Sequence, residues 1–183
     1  GQGVSGLGRR LREQLEALDP DSVDADSRRR FWESGLIACQ ALRRYAERYR
    51  QKALRLAQKT NDAAFAAELL EAAAILENVP EHPARNLREA LQSFWLAYIL
   101  VTTEMGGCCP GGGIGLGRPD QYLLPYYQRD LAEGRLTREQ ALELMEVFLI
   151  SFRHEDYFTP HQFATPGRQA RLGGVHPLWQ VRA

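Results

Sequence analysis

Between about Ser27 and Lys59 the positions Phe31, Ala38 and Tyr45 recur every seven residues, and Gly35, Leu42, Tyr49 and Leu56 do the same, offset by four and three. That spacing sets both rows on one face of a helix and does not fit the two-residue alternation of a strand. The opposite face carries Arg29, Arg43, Glu47 and Arg50, as a solvated surface should.

The rest of the chain reads the same way. Val4 to Leu18 is mixed polar and apolar and stops at Asp19-Pro20, because the residue before proline is pushed away from helical geometry. Ala63 to about Asn78 is rich in Ala and Leu, with Asn61 or Asp62 able to cap its start and Val79-Pro80 to end it. A helix beginning near Pro83 presents Leu87, Leu91, Phe94, Trp95, Tyr98 and Ile99, an apolar stripe that widens after Phe94 and demands cover on every side. A glycine-rich stretch, Gly106 to Gly117, precedes a helix from about Pro119 to Glu133, with Gly134 at its end. Thr137 to Gln140 forms a capping box for a last helix expected to bury Leu142, Met145, Phe148, Leu149 and Phe152. No confident strand is found. The expected fold class is all-α, with a helical part at 1–153 and an irregular tail at 154–183 that lacks an apolar period. That tail is expected to be unrelated to the family that the motifs described below point to, as a truncation with a frameshifted end would be.

Composition narrows the function classes. With 183 residues one domain is expected, and 44% apolar and 25% charged residues suit a globular protein. Lys plus Arg and Asp plus Glu balance at 23 each, which removes the bulk electrostatic case for nucleic acid or an anionic membrane. The arginines at 28 to 30, 43, 44, 48, 50 and 55 wrap around their helix with no aromatic platform expected on the same face. The longest strongly apolar run, Phe94 to Val101, is too short to cross a bilayer, and no export signal is visible. The three cysteines, Cys39, Cys108 and Cys109, do not make a disulfide framework, so a reducing cytoplasm is expected. His82, His154, His161 and His176 lack metal-ligand spacing, and no metal is expected.

Three motifs, taken together, point to a family. They are Ala46-Glu47-Arg48-Tyr49; Val79-Pro80-Glu81-His82-Pro83-Ala84-Arg85 running into Arg88-Glu89-Ala90-Leu91-Gln92-Ser93-Phe94-Trp95; and Gly117-Arg118-Pro119-Asp120-Gln121-Tyr122-Leu123-Leu124-Pro125-Tyr126-Tyr127. In this order the chain, from Gly1 to about Phe152, resembles the glycyl radical enzymes, the pyruvate formate-lyase family, in the N-terminal helical part of their large domain.

The resemblance implies a segment of a ten-stranded α/β-barrel enzyme of anaerobic metabolism. In the complete enzyme a radical-SAM activase installs a radical on a glycine near the C-terminus. A central cysteine takes it up as a thiyl and abstracts hydrogen from the substrate, for formate acetyltransferase-like chemistry, for C–C, C–N or C–O cleavage, or for addition to fumarate. The R-V-x-G-[YF] and G-C-V-x-P motifs that carry the glycine and the cysteine are not found in this sequence. The expectation is therefore a fragment, inactive by itself, with no bound cofactor and no assigned catalytic residue. Its partners would be the missing C-terminal part of the enzyme or further copies of itself, with the activase acting on the complete protein. The alternative is a non-catalytic helical scaffold or protein-interaction module.

The substrate-loop candidates are Cys108, Cys109, Arg118 and Asp120. The cysteine pair tempts because pyruvate formate-lyase carries radical chemistry on adjacent cysteines, yet here the pair precedes the Gly117 motif, whereas the family's cysteine follows it. A thiyl needs a shielded pocket, and a glycine-rich loop supplies none. The seven residues Gly111 to Gly117 lack the preceding strand of a nucleotide cradle. Arg118 and Asp120 either face a substrate or form a surface pair at a helix start, where the helix dipole favours an acid.

Overall fold

The computed structural model describes residues 2–104 and 115–155, and every described element is a helix. The described residues fall into two compact units that divide between Ala84 and Arg85.

The first unit holds α1 (Gly3–Glu16), α2 (Ala25–Lys59) and α3 (Ala63–Asn78), with α2 packed against both neighbours. The buried face of α2 is Cys39, Leu42, Ala46 and Ala53, a helical spacing whose small residues let α3 approach through Leu69, Ala72, Ala73 and Leu76. Phe31, which the periodicity places on the covered face, is exposed instead. Asp62 caps α3 by accepting from the Phe65 N–H at 3.1 Å, as expected.

The start of α1 is held by a distant turn. The Val4 N–H donates to Pro80 O at 2.8 Å, while the Ser5 N–H and hydroxyl both donate to Glu81 O, at 3.0 and 2.8 Å. These carbonyls satisfy donors that no helical turn precedes. The approach is so close that a Cβ built on Gly3 would lie 2.5 Å from Glu81 O, and Gly3 has φ +66°. Arg43 of α2 pairs with Glu81, tying the same turn to the long helix.

The second unit holds α4 (Leu87–Glu104), α5 (Pro119–Tyr122), α6 (Leu124–Ala132) and α7 (Arg138–Glu155). Pro83 does not open α4. Asn86 does, because its side chain accepts from the Glu89 N–H at 2.8 Å while the buried Glu89 reaches back to the Arg85 N–H at 2.7 Å, a reciprocal capping box. The expected helix from Pro119 to Glu133 is two helices that break at Leu123. Pro125 has no N–H to donate to the fourth residue before it, so the first turn cannot run on into the second.

The core of this unit is aromatic. Phe152 of α7 meets Trp95 and Tyr98 of α4 edge to face at 5.1 and 4.7 Å, and Phe148 meets Phe94 at 5.7 Å. Trp95, Leu96, Ile99 and Phe148 are buried. Cover is incomplete, because Phe94 and Tyr98 are only half-buried and Val101 is exposed.

Candidate functional site

The Gly117 motif lies on α5 and α6. Gly117 takes φ +66°, with no other group near the place a Cβ would occupy, and the Tyr122 hydroxyl donates back to Leu116 O at 3.0 Å. Arg118 and Asp120 find each other. Arg118 Nε and Nη2 donate to the two carboxylate oxygens of Asp120 at 3.0 and 2.7 Å, a bidentate pair at the helix start. The Arg118 guanidinium and the helix-start N–H groups hold the Asp120 carboxyl below its ordinary range. Both residues are exposed. Cys108 and Cys109 lie outside the described residues.

Beside the pair runs an open trough of about 700 Å³, walled by Leu123, Leu124 and Tyr127 on one side and by Leu142, Met145 and Leu149 of α7 on the other. The sequence period puts Leu142 and Leu149 on the buried side of α7. The structure corrects this, since they are 60% and 52% exposed while Phe148 of the same helix is fully buried. The period identifies an apolar face correctly but does not tell whether a neighbour in the same chain covers it. Arg138, Glu139 and Asp120 mark the rim. Thr137 and Gln140 form the expected capping box there, with N–H to side-chain bonds of 2.9 and 3.2 Å. The Glu139 carboxyl is held low, first by its own backbone N–H and then by the Thr137 hydroxyl.

In the first unit a shallow depression on α2 gathers Arg48, Lys52 and Arg55 around Tyr45 and Tyr49, whose rings lie 4.8 Å apart. Aromatic rings therefore do share the arginine face, contrary to the sequence expectation. Seven-residue spacing hid this because Tyr45 and Tyr49 each belong to an apolar row, while Arg48 and Lys52 each follow one of them at three residues.

Cys39 is buried in α2, and burial pushes its thiol up, against the opposing pull of Arg43 and Arg12. Among the described residues no group of three or more His, Cys, Asp or Glu could hold a metal ion, and no helix is long and apolar enough to cross a membrane.

The family described as pyruvate formate lyase-like matches this chain over residues 1–180. The chain belongs to that family. The match runs further along the chain than the motifs, which stop near Phe152. The indoleacetate decarboxylase of Tractidigestivibacter scatoligenes is 41% identical over 152 residues, covering 80% of this chain and 17% of its own length. The isethionate sulfite-lyase of Desulfovibrio desulfuricans is 39% identical over 146 residues, covering 79% of this chain and 17% of its own. A solved structure for 1,2-propanediol dehydration in Roseburia inulinivorans superposes with a TM-score of 0.74 at 38% identity, covering 85% of this chain and 18% of that one. The chain thus corresponds to the N-terminal helical part of a glycyl radical enzyme and spans about one-sixth of the curated relatives it matches.

Proposed function

We propose that this chain serves as the helical N-terminal part of a glycyl radical enzyme and does no chemistry by itself. The observation that carries the reading is an asymmetry of coverage. The match takes in 80% of this chain yet only 17% of a decarboxylase to which it is 41% identical, and a superposition of similar extent keeps the fold. A segment of that size can supply packing and orientation. Radical storage, hydrogen abstraction and a water-excluding barrel belong to the remainder.

The chemistry on the page supports this division. The described cysteine has its thiol pushed up and buried, the opposite of an activated nucleophile. Arg118 and Asp120 neutralise one another in solvent, which suits fixing a helix start better than binding substrate. The complete enzyme would draw its radical from a radical-SAM activase and break a C–C, C–N or C–O bond; the decarboxylase and the dehydration named among its relatives favour the first and the last. The substrate-distinguishing residues would lie mostly outside this segment.

A helical interaction module is the second reading, favoured by the exposed apolar trough. Anaerobic incubation of the 183-residue chain with a radical-SAM activase and S-adenosylmethionine tests the first. Electron paramagnetic resonance should show no glycine-centred doublet, and a doublet with substrate turnover would overturn the reading.

A further inference from the structure

We draw no further inference here: the strongest candidate, the open apolar trough between α6 and α7, is an unpartnered face, and nothing in the structure shows what covers it.

Discussion

The carboxylate of Asp130 accepts the Leu87 N–H at 2.7 Å, so the end of α6 caps the start of α4 across 43 residues of sequence. Asp130 is 1% exposed, and its other oxygen accepts from Arg135 Nε at 2.9 Å while its carbonyl accepts from the Arg135 N–H at 2.8 Å. One residue thereby closes a helix start, a helix end and a turn. Asp130→Ala should cost about 2.5 to 4 kcal/mol, since a lost cap costs about 1 and a hydrogen bond to a charged group is worth about 1.5 to 3. Arg135→Ala should cost less, because it leaves the bond to Leu87 intact. Urea denaturation checks both, and a loss below about 0.5 kcal/mol for Asp130→Ala would place it among ordinary surface changes.

Two glycines with nearly the same φ make a paired test. Gly3 and Gly134 have φ of +66° and +68°, but only Gly3 faces backbone at 2.5 Å. Gly134→Ala should cost about 1 to 2 kcal/mol, the strain of a left-handed residue. Gly3→Ala adds a clash that flexible side-chain movement cannot relieve and should cost measurably more. Equal losses by thermal or urea unfolding would show that α1 can move away from the Glu81 turn.

Trp95 is buried, with Phe152 edge to face against it and Tyr98 stacked at 5.7 Å. Trp95→Ala should cost about 3 to 5 kcal/mol. A loss below about 1 kcal/mol in denaturant unfolding would mean that the aromatic cluster contributes little to this unit.

Local capping was legible in the sequence and long-range capping was not. Asp62 before α3 and the Thr137 to Gln140 box before α7 show themselves within four residues. The start of α4 was misplaced at Pro83, because proline is a familiar opener while Asn86, Glu89 and the far-off Asp130 together set the boundary. The break at Leu123 could have been read from Pro125. The trough could not, since helical spacing shows that Leu142 and Leu149 share an apolar side and says nothing of the partner that would cover them. Arg118 and Asp120 were legible as a surface pair, and Cys108 and Cys109 lie outside what the structure describes.

Cys39 gives a pH prediction. Burial raises its folded pKa above the ordinary 9.0, so as pH climbs through that value the unfolded thiol ionises first. Its contribution to stability is therefore present below the unfolded pKa and fades as pH rises toward the folded one. At pH 8, iodoacetamide should label the Cys39 peptide at least about tenfold more slowly in buffer than in urea, as read by mass spectrometry. Equal rates would show that the thiol is open to solvent.

The central claim is that this chain supplies fold, not chemistry, to a glycyl radical enzyme. A chimaera tests it most directly: indoleacetate decarboxylase with its matched 152-residue stretch replaced by the corresponding residues of this chain, activated anaerobically and examined by electron paramagnetic resonance. The account predicts a glycine-centred doublet and decarboxylation of indoleacetate. A soluble, folded chimaera that yields no doublet under conditions that activate the parent enzyme would contradict it.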